Sequence, residues 1–241
     1  MLDLAVDHHV HTAFSAGRDS VLLLVAAAEE AGLRELTLAD QAGPDTSWLP
    51  TYLATIHRAR QRTDVQLRAG VEVEAIAHDG WLAFPDLSGL EVVSVAIGAL
   101  PMPAGLADPA TVRALVDSGT LRVSDVVEML VSVTARALDR MGRYAPTQLA
   151  RPLEFLTRMG VQAEEVDPAA LAELAGACRR AGTLVEVSER HRTPGPDVAA
   201  AFAAAEVRLV AASDARQARE VGRYRYVTEA VGVPVAGGRA A

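Results

Sequence analysis

Cysteine is almost missing from this chain of 241 residues, and the one that is present, Cys178, excludes both an intrachain disulfide and a cysteine-rich zinc site. Its place in the helical stretch Leu171 to Arg180 marks it as a small core residue with no catalytic role. Aromatic residues are scarce too, at 4%, although half the chain is hydrophobic. The core must therefore be built from Ala, Val and Leu, as helices packed on strands commonly are. The longest apolar runs, Val21 to Ala28 and Val198 to Ala205, fall well short of the roughly 20 residues that a bilayer span needs. Asp3 and Asp7 stand where a signal peptide would carry positive charge, which points to a cytoplasmic protein. Positive charge is in deficit overall: the net charge of -8 repels nucleic acid and anionic membranes. An anionic ligand must be drawn by a local site.

What the chain does contain is alternation. Short β-branched or apolar runs are separated by longer Ala/Leu/Glu/Arg stretches, the pattern of parallel strands joined by helices. Seven strands are expected: Leu4 to Val10, Leu33 to Ala39, Val65 to Val71, Glu91 to Ile97, Thr147 to Arg151, Thr183 to Ser188 and Val207 to Ala212. Asp19-Ser20 and Asp167-Pro168 read as helix starts, one by its capping residues and the other by proline in the first turn. Asp79-Gly80 sits among alternating residues between Glu72 and Phe84 and predicts a small β-hairpin after the third strand. Ala99 to Asp108, rich in Pro, Gly and Ala, reads as a long loop, and a helical region follows from about Pro109 to Gly142. The length suits one α/β domain, residues 1–231, with a frayed, flexible tail over 232–241.

Chemistry concentrates at the strand ends. In Asp7-His8-His9-Val10-His11-Thr12, residues two apart on a strand share a face, so His9 and His11 can offer imidazole nitrogens to one ion while His8 points away. Two strand-end histidines satisfied by hydrogen bonds would carry the same pattern, so H-x-H alone decides nothing. Glu72 lies just past the third strand and Asp214 just past the seventh. In a parallel barrel all carboxyl ends of strands face one side, so these four residues converge on one cavity. A mixed nitrogen and oxygen set with two carboxylates suits one divalent ion of zinc, manganese or iron better than calcium. Either acid taken singly reads as readily as a helix cap or a salt-bridge partner.

With these pieces in order, the sequence resembles the PHP (polymerase and histidinol phosphatase) family. That family is similar in opening with D-x-H-x-H-T-x-x-S-D, then T-D-H after the second strand, G-[IV]-E after the third, a histidine after the fourth, H-P near the fifth and S-D-A-H near the end. The corresponding stretches here run from Asp7 to Arg216. The resemblance implies a distorted (β/α)7 barrel, in agreement with the seven expected strands, and three metal ions in complete members. His9, His11, Glu72 and Asp214 match the ligands of one ion. The other positions depart from the pattern: Ala16 stands for an aspartate, and Gln41, Gly98, Arg151 and Arg216 stand for histidines. The loss removes two metal positions and leaves one, which implies a mononuclear site.

A guanidinium cannot ligate a metal, but it can hold an anion with paired hydrogen bonds. Arg151 and Arg216 can therefore clamp a small anionic substrate, which the resemblance implies is a phosphate ester, or they can pair with Glu72 and Asp214 and simply fill the hole. His191, in the loop after the sixth strand, lies on the correct side to act as general acid, though a surface histidine reads the same way. The leading expectation is a metal-dependent hydrolase of phosphoesterase type using a mononuclear metal-bound water. The alternatives are a catalytically inactive binding or regulatory domain derived from the family, and a metal-dependent lyase or non-phosphate hydrolase. The oligomeric state is not readable from the sequence.

Overall fold

A computed structural model describes residues 2–162 and 165–232. Ten strands and eight helices alternate along it: β1 (Val6–Val10), α1 (Val21–Glu30), β2 (Glu35–Gln41), α2 (Leu49–Arg60), β3 (Gln66–Ala75), β4 (Leu82–Ala83), β5 (Val92–Ala96), β6 (Leu100–Met102), β7 (Gly105–Ala107), α3 (Pro109–Asp117), α4 (Val123–Met141), β8 (Thr147–Leu149), α5 (Glu154–Arg158), α6 (Pro168–Ala181), β9 (Leu184–Ser188), α7 (Pro196–Ala204), β10 (Leu209–Ala212) and α8 (Arg225–Ala230).

Seven parallel strands pair in the order β1, β2, β3, β5, β8, β9, β10, and β4 adds to β3 in antiparallel fashion. All seven coincide with the strands expected from the sequence. They are legible because a parallel strand is covered on both faces and so reads as a nearly continuous apolar run; every residue of β5 is buried. The sheet comes close to closing. The His11 amide donates to the Ala215 carbonyl at 2.9 Å, and the Asp214 amide to the His9 carbonyl at 2.9 Å, across the seam between the first and last strands. Asp7 ties the same seam, its carboxylate accepting from the amides of Ser213 at 2.9 Å and Gly222 at 3.1 Å.

Helices cover the outside through stripes of small apolar residues. In α1 the buried positions are Val21, Leu24, Val25 and Ala28, the i, i+3, i+4, i+7 spacing of one helical face. The Ser20 hydroxyl accepts from the Leu23 amide, and Asp167 caps α6 in the same manner through Ala169. Burying each Val or Leu contributes roughly 1.5–3 kcal/mol, so a core with few aromatics suffices when many such faces are covered.

The hairpin expected after Glu72 is present, with Glu74 opposite Ala83. Two expectations need correction. The segment 99–108 is not a plain loop: Leu100–Met102 and Gly105–Ala107 pair as a second hairpin around a short turn. The helical region after it divides at Ser118 to Arg122 into α3 and α4. Short strands containing Pro and Gly carry too little alternation to be seen in sequence. From residue 233 onward the expected tail lies outside the described residues.

Candidate metal centre

The site is built at the carboxyl ends of the barrel strands, and strand geometry explains why its residues meet. The β1–β2 pairing slips by one residue between Asp7 and Val10, a bulge that re-aims the chain just ahead of the site. His9 and His11 then lie side by side with ring centroids 4.8 Å apart, both fully buried. Glu72 enters from β3. His9, His11 and Glu72 each place one candidate ligand atom within 4.8 Å of the others. Asp214 arrives from the opposite end of the chain, its Oδ1 3.4 Å from His11 Nε2. The sequence-selected quartet therefore converges in space.

Its atoms are left without ordinary partners. His9 Nε2 stands 3.4 Å from Glu72 Oε2, within ionic reach but not hydrogen-bonded. Both ring nitrogens of His11, Glu72 Oε2 and both carboxylate oxygens of Asp214 are buried with no hydrogen-bond partner. Buried polar atoms are costly to orphan, and here the orphans are lone-pair donors aimed at one another. That donor set, two imidazoles and two carboxylates, fits a divalent cation.

The groups that depart from the PHP pattern surround this cluster. Arg151 Nη2 lies 3.0 Å from Glu72 and 3.3 Å from Glu74, and its Nε 3.5 Å from Glu154. One guanidinium thus faces three carboxylates. Gln41 reaches the cavity as well, donating to Glu72 Oε1 at 3.1 Å. At Gly98 the missing side chain leaves room for Glu74, whose carboxylate accepts the Gly98 amide at 2.7 Å. A Cβ there would stand 2.9 Å from Glu74 Oε1. Arg216 behaves differently from Arg151. Its Nε is buried, lacks a hydrogen-bond partner and stays 3.9 Å from Asp214 Oδ1.

His191 is not a surface histidine. Nδ1 sits 2.9 Å from Glu154 and Nε2 3.0 Å from Asp214. Burial pulls its pKa down, but the two carboxylates prevail and raise it. His9 is likewise pulled down by burial and then lifted to about 10 by Glu186, Asp214 and Glu72. Asp214 is pushed up by burial and drawn well below the usual carboxylate range by His11, His191 and His9.

Four residues the sequence reading passed over belong to the site: Glu74, Glu154, Arg190 and Glu186. Arg190 donates from Nε to the Asp214 carbonyl at 2.8 Å and from Nη2 to Glu220 at 2.6 Å. Glu186 is fully buried with Oε1 2.8 Å from His9 Nδ1. Glu74 had a signal, since it shares a strand face with Glu72, and Arg190 adjoins His191 in sequence; Glu154 and Glu186 are isolated acids in chain segments that only the barrel brings together. The backbone is strained in the same place. Arg151 (φ 48°), Leu153 (φ 61°), Arg192 (φ 53°) and Asp214 (φ 51°) are all left-handed without being glycine, a conformation that persists where surrounding contacts over-determine it. A cleft of about 320 Å³ opens beside Gln41, Gly43, Glu72 and Glu74.

The family model described as PHP domain matches residues 7–157. No curated protein matches the sequence. Among solved structures, the chain is similar to histidinol phosphate phosphatase from Lactococcus lactis subsp. lactis Il1403, complexed with zinc, L-histidinol and phosphate. The TM-score is 0.65 at 14% identity, covering 94% of this chain and 93% of that one. It is also similar to a putative histidinol phosphatase from Listeria monocytogenes, with a TM-score of 0.64 at 14% identity over 92% of this chain and 99% of that one. At such identity these likenesses are likenesses of fold.

Proposed function

Since this chain belongs to the PHP domain family, we propose that it is a metal-dependent phosphoesterase acting on a small phosphate ester through one divalent ion. His9, His11, Glu72 and Asp214 would hold the ion. The observation that carries this reading is the set of buried lone-pair atoms on those four side chains that no hydrogen bond satisfies. A dication bound there supplies Lewis acidity and a water acidic enough to attack at neutral pH. The similarity in fold to a histidinol phosphate phosphatase complexed with zinc and phosphate supports a phosphate ester as the substrate class.

The chain's own groups divide the remaining work. Arg216, whose buried Nε has no partner, is the cation free to hold a phosphoryl oxygen, and Arg190 braces the Asp214 carbonyl behind it. Arg151 is taken up by Glu72, Glu74 and Glu154; it neutralises the acidic wall rather than the substrate. His191, bonded through Nδ1 to Glu154 and with Nε2 3.0 Å from Asp214 but out of hydrogen-bond alignment, would give the Nε2 proton to the leaving oxygen as the phosphorus–oxygen ester bond breaks, while water's oxygen bonds to phosphorus and the proton that water loses returns to the imidazole.

A second reading, a binding domain without catalysis, draws on the Arg151–Glu72 contact, which fills part of the cavity with the protein's own charges. Metal analysis with an activity screen separates the two. The purified protein should carry or accept about one equivalent of zinc, manganese or iron, and His9→Ala should abolish it. A panel of phosphate monoesters should then be hydrolysed only by the loaded protein, with kcat/KM falling about 100-fold or more in Arg216→Ala. A protein that takes up no metal would end the phosphoesterase reading; a loaded protein inert toward every ester would favour the second.

A further inference from the structure

Inside the barrel, below the proposed ligands, lies a layer of polar side chains that the reading above does not use. Glu186, from β9, projects inward and is fully buried. Its Oε1 lies 2.8 Å from His9 Nδ1. Gln148, from β8, is also fully buried and donates through Nε2 to the same oxygen at 2.8 Å. The Gln148 amide is anchored in turn, within 2.7 Å of the Ser94 hydroxyl and 2.8 Å of the His8 carbonyl. A carboxylate has thus been placed in a closed interior and aimed at one imidazole nitrogen. Its other oxygen, Oε2, has no partner. Such burial is expensive, and packing alone would be better served by an apolar side chain of the same volume.

The two histidines differ in this respect. Among the described residues His11 has no hydrogen-bond partner on either ring nitrogen, only the Asp214 carboxylate 3.4 Å from Nε2, so no hydrogen bond there fixes which of its nitrogens carries a proton. His9 has no such freedom. The Glu186 oxygen at 2.8 Å accepts the Nδ1 proton, so Nε2, 3.4 Å from Glu72 Oε2, is the nitrogen left to face a cation, which must displace any proton there. Negative charge behind the ring also strengthens Nε2 as a donor to a cation.

We infer that Glu186 is a positioning residue, which holds His9 with its proton on Nδ1 and presents Nε2 to a divalent cation, thereby setting the affinity of the site for metal without touching it. This rests on the metal reading above, but adds a residue from the interior of the barrel and a specific atom of His9.

Zinc is the probe. The affinity of the metal-stripped protein for Zn²⁺ is measured by competition with a chromogenic chelator, for the unaltered protein, Glu186→Gln, Glu186→Asp and His9→Ala. Glutamine keeps the volume and removes the charge, so affinity should fall about 10- to 100-fold; aspartate keeps an acceptor and should recover part of the loss. Nitrogen–proton correlation spectra of the zinc-loaded protein supply a second readout. A slowly exchanging His9 Nδ1–H should be present in the unaltered protein and lost or rapidly exchanging in Glu186→Gln. Zinc affinity unchanged in Glu186→Gln while His9→Ala abolishes binding would overturn the role of Glu186 and leave the metal site standing. Lowered thermal stability with unchanged zinc affinity would likewise reduce Glu186 to a structural residue. Failure of the unaltered protein to bind zinc would overturn both.

Discussion

At the scale of single residues, the two arginines that replace expected histidines have different surroundings. Arg151 lies among three carboxylates, with Glu72 fully buried. Removing it strands an uncompensated buried charge, so Arg151→Ala should lower the stability of the metal-free protein by about 3–5 kcal/mol, read from urea unfolding in chelator. A bound dication should offset much of that loss. Proton uptake gives a sign to the pH dependence. His9 has a folded pKa of about 10 against the usual 6.5, and His191 is raised as well. Their contribution to the stability of the metal-free fold is complete below pH 6.5 and is lost as pH rises toward 10. Asp214, with its pKa depressed, contributes above the ordinary carboxylate range and loses that contribution only in strong acid. Melting temperature in chelator should therefore decline between about pH 6.5 and 10, and a flat profile would contradict the protonated pairing. Zinc binding should tighten over the same interval, because the proton on His9 Nε2 competes with the metal. Cys178, fully buried with its thiol pushed up to about 12 by burial, should resist thiol reagents until the chain unfolds.

At the scale of elements, the loop between β1 and α1 shows how tightly the site is framed. Asp40 accepts from the Thr12 amide at 2.9 Å, the Thr12 hydroxyl at 2.7 Å and the Ser15 hydroxyl. A Cβ on Gly17 would stand 2.3 Å from the His11 carbonyl oxygen. Gly17→Ala must therefore push the loop off His11, and a loss of about 1–3 kcal/mol is expected together with weakened zinc binding. Strand elements were legible in the sequence because β-branched runs such as Val92–Ala96 are buried on both sides and interrupted by helix caps. The β6–β7 hairpin was not, since three-residue strands carry no period. The quartet His9, His11, Glu72 and Asp214 was readable from motif order and strand-end position. Glu154 and Glu186 were not, because a carboxylate in a helix start or a strand interior looks the same whether it faces solvent or a histidine. Only the barrel's curvature decides that.

At the scale of the whole molecule, the barrel joins its first and last strands through few bonds. Asp7 supplies two of them, to Ser213 and Gly222. Asparagine there would present an amide to at least one of those backbone donors, so Asp7→Asn should cost about 1–3 kcal/mol in unfolding experiments. The chain contains no lysine, so every side chain with a permanent positive charge is a guanidinium, suited to hold oxyanions with paired bonds on an otherwise acidic surface. Zinc should stabilise the fold by mass action, by about 2.7 kcal/mol at a free concentration 100 times its dissociation constant.

The seam has a consequence in time as well as in space. His9 and His11 leave the ribosome well before Asp214. A ribosome that has passed Glu72 but not yet reached Asp214 has therefore delivered two imidazoles and one carboxylate, but not the second acid of the quartet. Chains halted before residue 214 should hold zinc more weakly than finished ones. Retention of the ion would then act as a receipt for closure of the barrel, issued only once its first and last strands have met.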